Sequence, residues 1–199
     1  MCFLLERPHF LRPFVFFAYT PSDPTPPRFA VKLETTMQSQ HEVTMQSQHE
    51  EFLIKAAATA RAAGHIWPDY AACEVALESA WGASTLALKA NNLFGQKQFH
   101  PPYHGTGTIT LPTKEFLHGD WIEVQAAWMS FPDWGASCRV RMEVLHRLAR
   151  EYPGYARALA ATDGETFIRE VSAVWSTGPR RAVEVLAIHA RYQKLFNQE

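Results

Sequence analysis

PDYAACEVALESAWGASTLALKANNLFGQK, residues 68–97, carries the most informative pattern in the chain. It reads as a mostly apolar helix, a tight break at Gly82, a second short helix and then a loop. Pro68 suits a first helical position, and Asp69 in the first turn favours the positive end of the helix dipole. Ala72, Val75, Ala76 and Ser79 recur at three- and four-residue spacing, which marks a packed face. Glu78 falls in the last turn, just before Trp81 and Gly82, where the dipole disfavours an anion. That placement, with partial burial beside Trp81, is expected to raise its pKa, the condition for a general acid in glycoside cleavage. From spacing alone, a solvated glutamate at a helix end is the stronger reading.

The rest of the composition sets bounds. A chain of 199 residues buries one sizeable core, and 47% apolar residues place it among globular proteins. Lys and Arg total 19 against 20 Asp and Glu, which leaves no concentrated positive field for nucleic acid. Cys2, Cys73 and Cys138 are far apart and odd in number, so neither a disulfide framework nor a metal motif is signalled. Cys73 is expected as a small buried apolar residue. No stretch approaches the ~20 apolar residues of a membrane span.

Residues 1–50 read differently. They hold Pro8, Pro13, Pro21, Pro24, Pro26 and Pro27, with no helical period. The apolar piece at 14–19 is short and awkwardly flanked for a secretion signal. TMQSQHE occurs at 36–42 and again at 44–50, a duplication too small for a repeat fold. Residues 1–50 are therefore expected to be a poorly structured leader or a start-site artefact, with translation beginning at Met37 or Met45, and residues 51–199 the domain.

Within 51–199, a first helix is expected at 51–63, stopped by Gly64. Alternation at 108–111 and 122–126, with turn chemistry at His118, Gly119 and Asp120, predicts a β-hairpin. Helical spacing returns at 133–151, where Arg139, Arg141, Arg147 and Arg150 read as a solvated face, with contact to an anionic glycan as the lesser alternative. Tyr152, Pro153 and Gly154 break that helix. Thr162 to Glu165 fits a capping box before another helix, and Pro179 opens a last one. His100 and His104 have a four-residue spacing, but Pro101 and Pro102 between them forbid the helix a zinc pair would use.

ALESAWG at 76–82 with Ser84, followed by NNLFGQK at 91–97, resembles the signature of the glycoside hydrolase family 73 glucosaminidases. These are bacterial and phage cell-wall hydrolases, including the muramidase-like domain of flagellar rod-assembly proteins. The similarity extends more weakly over 51–199. It implies a mainly α, lysozyme-like fold with a small β-hairpin lobe, and it implies Glu78 as the catalytic acid. Thr113, Lys114 and Glu115, then Gly119 and Trp121, are similar to the family's TxE hairpin. Glu115 is thereby implied as a second carboxylate, helping water attack or steadying the positive sugar transition state. Without the resemblance a solvated hairpin charge is the plainer reading. Inversion of configuration would need the two carboxylates ~6.5–9.5 Å apart.

WSTGP at 175–179 resembles the family's YATDP element, with Trp175 for the usual Tyr and Gly178 for the usual Asp. An indole stacks on a sugar face and donates one N–H, but it offers no phenolic oxygen. Position 74 is more often Gln in the family. Glu74 lies one turn before Glu78, where two anions in one cleft would push one pKa up; pointing to solvent or pairing with an Arg is the favoured alternative.

The expectation is thus a peptidoglycan hydrolase that cuts the β-1,4 bond after N-acetylglucosamine. Glu78 and Glu115 are its candidate catalytic residues, and Trp81, Asn92, Phe94, Tyr103, Trp128 and Trp175 its candidate substrate contacts. For any single aromatic a core role is the plainer reading, and Asn91 and Asn92 also suit holding the loop through backbone hydrogen bonds. A lytic transglycosylase and a non-catalytic wall-binding or assembly module are the rivals. No metal or cofactor is called for, and the expected partner is a glycan strand. No nucleic acid or membrane span is expected, and the protein should be a monomer. The implied substrate places it at the cell wall, in the periplasm or outside the cell, by an export route the sequence does not mark.

Overall fold

The first helix, α1 (Arg28–Ala62), begins well before the position that sequence periodicity assigns to it. The structure is a computed structural model describing residues 28–99, 103, 105–117, 120–175 and 179–197; side chains are described from residue 42 onward, except at 114–117, 120 and 121. The chain divides into a unit that includes Glu50–Glu199 and a second, Glu6–His49. The packed core lies within the unit that includes Glu50–Glu199. Residues 28–50 are helical rather than irregular for a simple reason. Between Pro27 and Gly64 there is neither Pro nor Gly, and Met, Gln, Glu and Lys are good helix formers. The segment's sequence carries no regular apolar stripe to announce the helix. The proline cluster and the apolar piece at 14–19 lie outside the described residues.

α2 (Pro68–Glu78) opens on its proline and ends at Ser79. Ala72, Val75, Ala76 and Ser79 are buried, as their spacing predicts, and so is Cys73. α3 (Thr85–Ala90) is capped by Ser84, whose Oγ accepts from the Ala87 amide at 3.2 Å. Next come β1 (Gly107–Leu117) and β2 (Asp120–Ser130), an antiparallel pair with Gly107 opposite Ser130 and Glu115 opposite Ile122. The predicted hairpin is present and its strands, at 11 residues each, outrun the alternating segments.

α4 (Trp134–Leu148) starts from Asp133, whose Oδ1 accepts from the Ala136 amide at 2.7 Å. α5 (Pro153–Leu159) occupies a place where the sequence reading expects only a break. Pro153 ends nothing there; it takes the first-turn position of a new helix. α6 (Gly164–Trp175) is capped by Asp163, which accepts from the Thr166 amide at 2.7 Å, one residue beyond the expected Thr162. α7 (Arg181–Phe196) closes the chain.

α2 packs against α6 and α7, and α5 against α4 and α6. Leu53, Ala56 and Ala60 of α1, Val75 and Ala76 of α2, Val144 and Leu145 of α4, and Phe167, Ile168 and Val171 of α6 share one core. A smaller cluster of Leu86, Ala126 and Trp128, with Ile109 and Leu111 against it, seats the hairpin on α3. The mainly helical domain with a two-stranded lobe is the architecture the sequence leads us to expect. It brings the last residue of α2, Glu78, to the first residue of α7, Arg181.

Candidate active site

The turn after Glu78 is fixed by a serine. Ser79 Oγ donates to the Val75 carbonyl at 2.6 Å and accepts from the Gly82 amide at 2.8 Å. The Trp81 amide reaches back to the Ala76 carbonyl at 2.8 Å, closing off the helix end. Ala80, Trp81 and Gly82 all adopt positive φ, 51°, 57° and 82°. Two consecutive non-glycine residues in that region store backbone strain, which native structures tolerate chiefly where geometry serves a site. A Cβ on Gly82 would stand 2.9 Å from Phe52 Cε2, so this position needs glycine for space as well as for φ. Trp81 is held edge-on between Phe52 and Tyr192, at centroid distances of 5.8 and 6.0 Å.

Glu78 does not stand alone beside Trp81. Arg181 Nε donates to Glu78 Oε1 at 2.6 Å, Arg181 Nη2 to Glu74 Oε1 at 2.7 Å, and Arg181 Nη1 to Ser172 Oγ at 2.8 Å. Arg141 Nη2 reaches the same Glu74 oxygen at 3.0 Å. The side chains of Glu74 and Arg141 are wholly buried and that of Arg181 nearly so, whereas Glu78 keeps 13% exposure. Glu78 is therefore the one carboxylate of this cluster that solvent reaches.

Charges this deep survive only as partners. Burial works against ionised Glu74, and Arg141 and Arg181 outweigh it, holding its carboxyl below the usual carboxylate range. Burial likewise opposes the Arg181 charge, and Glu78 and Glu74 overcome it, so the guanidinium is held more firmly protonated. Burial pushes the His65 imidazole down to about 4, with Glu74 only partly offsetting it. His65 Nδ1 accepts from the Trp67 amide at 3.1 Å.

The other sequence-predicted residues divide into groups. Glu74 neither points to solvent nor lines a cleft as a second free anion; it pairs with arginine, as the favoured alternative allows. Trp175 and Phe94 belong to the same cluster. The Arg141 guanidinium lies 3.7 Å from the Trp175 ring centroid and 5.3 Å from that of Phe94. Trp175 is 9% exposed and Phe94 not at all, so both rings are spent on protein contacts. Asn92 is also enclosed. Its Nδ2 donates to the Gln96 and Met129 carbonyls, each at 2.8 Å, and its Oδ1 accepts from the Gln96 amide at 2.9 Å. The polar and ring surfaces of these three expected substrate contacts have protein partners.

Trp128 sits in the small hairpin cluster, with Lys97 Nζ 5.6 Å from its ring centroid. Tyr103 packs edge-on to Phe99 at 5.6 Å, and Arg147 lies over both rings. Neither ring is part of the Glu78 cluster. The side chains of Glu115 and Trp121, the histidines at 100 and 104 and residues 176–178 of the WSTGP element lie outside the described residues. Among the described residues no three His, Cys, Asp or Glu side chains gather as a metal site.

Arg141 and Arg181 are what sequence reasoning misses. The helical pattern groups Arg141 with a solvated arginine face, yet it is fully buried. The one available signal is Glu74, a carboxylate inside an apolar helix that demands a cation from elsewhere.

Among the described residues, Glu78 is the part-exposed carboxylate of the buried charge cluster, held by Arg181 just before a strained turn. The family model described as mannosyl-glycoprotein endo-beta-N-acetylglucosaminidase matches residues 54–194, and the chain belongs to this glucosaminidase family, glycoside hydrolase family 73. The chain is 36% identical over 67 residues to the exo-glucosaminidase LytG of Bacillus subtilis, a stretch covering 34% of this chain and 22% of LytG. It thus spans about a fifth of the length of that relative. In fold it resembles the catalytic domain of the autolysin Auto from Listeria monocytogenes, with a TM-score of 0.63 at 19% identity over 80% of this chain and 96% of that one. The truncated glycoside hydrolase domain of FlgJ from Salmonella typhimurium gives a TM-score of 0.57 at 21% identity, over 73% and 98% of the two chains.

Proposed function

We propose that the protein is a peptidoglycan hydrolase acting on the β-1,4 bond after N-acetylglucosamine, with residues 51–199 as its catalytic domain. The observation that carries this reading is Glu78: the solvent-reaching carboxylate of a buried charge cluster, at the end of α2 just before the strained turn of ALESAWG, within the stretch the family model covers.

In the proposed reaction a protonated Glu78 gives its proton to the glycosidic oxygen as the bond from that oxygen to the sugar C1 breaks. Water adds to C1, its second proton leaving to a base, and a new reducing end results. Glu115, on β1 opposite Ile122, is our candidate for that base or for stabilising the positive sugar. Trp81, Asn92, Phe94, Tyr103, Trp128 and Trp175 stay our candidate substrate contacts, and the partial exposure of Trp81, three residues after Glu78, supports that one most. No metal or cofactor takes part. The substrate implies action at the cell wall or outside the cell, and we propose a monomer.

Digestion of purified sacculi followed by borohydride reduction and mass spectrometry tests the reading. N-acetylglucosaminitol ends are the expected product. Anhydro-sugar ends would assign a lytic transglycosylase instead, and binding without any cleavage would assign a wall-binding module.

A further inference from the structure

We propose that Arg181 is a positioning residue for the acid: it clamps Glu78 through Oε1, leaves Oε2 to carry the proton, and meets the carboxylate charge as that proton departs. This rests on Glu78 being the acid.

The geometry has three parts. First, all three guanidinium nitrogens of Arg181 are engaged, with Glu78, Ser172 and Glu74 at 2.6, 2.8 and 2.7 Å. A planar fork so occupied has no freedom to turn, and Arg suits this where Lys does not. Second, its anchors come from different elements: Glu74 from α2, Ser172 from α6 and, behind Glu74, Arg141 from α4. Glu74 precedes Glu78 by one helical turn, so one rigid segment carries both the anchor and the clamped group. Third, the charges decide when the clamp matters. The groups facing this spot are Glu74 and Glu78 of α2, Arg141 of α4, Arg181 of α7 and the neutral, buried His65 before α2. Two carboxylates and two guanidiniums balance only when Glu78 is ionised. With Glu78 protonated the cluster carries an excess positive charge, and proton donation to the glycosidic oxygen restores neutrality. Arg181 thus stabilises charge that appears on Glu78 during the reaction, inside surroundings that need no rearrangement. The O–H bond of Glu78 and the C1–O bond break, the leaving-group O–H bond forms, the C1–O pair goes to the leaving oxygen, and the pair of the former O–H bond stays on the Glu78 carboxylate beside Arg181.

The test measures kcat, KM and the pH profile on soluble glycan fragments for Arg181→Met, Arg181→Lys and Glu78→Gln, each in the full chain and corrected for folded fraction by circular dichroism. For Arg181→Met, kcat is expected to fall about a hundredfold with KM within about threefold, as removal of one preorganised donor commonly costs. Its alkaline limb is expected to move to higher pH, because a cation has gone from beside the acid. Arg181→Lys keeps the charge and loses the fork, so kcat falls about tenfold while the alkaline limb stays in place. If Arg181→Met does not fold, the lysine variant decides alone: parental kcat per folded molecule overturns the proposal. An unmoved limb and unchanged kcat in a folded Arg181→Met overturns it too. Full activity in Glu78→Gln sinks the reading on which the proposal rests, whereas an inactive Glu78→Gln beside fully active Arg181 variants sinks the proposal only.

Discussion

His65 and Glu74 share a buried neighbourhood and respond to acid at different pH. The His65 imidazole is held down to about 4, against an ordinary value of 6.5. Between those two values the unfolded chain takes up a proton that the folded chain refuses, so stability falls as pH drops through this window. The loss is about 3 kcal/mol in all and levels off below pH 4. Glu74 is depressed, so what it contributes is present above the ordinary carboxylate range and disappears only at lower pH, as its folded carboxyl protonates. Thermal melts across pH 7 to 4 should show the first decline, and His65→Asn, which keeps an acceptor for the Trp67 amide, should flatten it. An equal decline in the variant would assign the effect to another group. Arg141→Met should be harsher at neutral pH. It leaves Glu74 short of a partner in a dry site, at a cost of about 3–5 kcal/mol by denaturant unfolding. At this scale the sequence is legible for Glu78, whose turn and neighbours form a recognisable motif. It is not legible for Arg141 and Arg181, because a helix pattern assigns arginines to solvent and gives no sign of a carboxylate reaching them from another helix.

Gly82 shows what a single element demands. The turn that ends α2 runs through three left-handed residues, and a side chain on the third meets the Phe52 ring. Gly82→Ala should cost at least about 1 kcal/mol and lower activity beyond the loss of folded protein, because Glu78 sits four residues away on the same turn. Combining it with Phe52→Leu should recover part of the steric share and none of the backbone share. Elements announce themselves unevenly in the sequence. α2, α3, α4, α6 and α7 carry apolar periodicity or caps that local chemistry explains. α5 hides behind Pro153, since a proline after a helix reads as a stop when it is the start of the next turn. The N-terminal part of α1 hides because its polar repeat has helix propensity without apolar periodicity.

For the whole molecule, we propose a catalytic domain that begins after residue 50, in keeping with the matched stretch 54–194 and the core that takes Leu53, Ala56 and Ala60 from the end of α1. A chain beginning at Glu51 should therefore keep cell-wall clearing per molecule within about twofold and melt within a few degrees of the full chain. Loss of folding in that shortened chain would move the domain boundary into the polar part of α1. Charge near neutrality and a buried ion cluster also set the response to salt. Fold stability should change little between low and physiological ionic strength, since buried pairs are screened far less than surface ones. The most direct measurement of the central claim is the count of new reducing ends released from sacculi by Glu78→Gln beside the parent, at matched folded concentration and matched binding. If Glu78 is the acid, release falls about a hundredfold or more with binding intact; release at the parental rate rules it out.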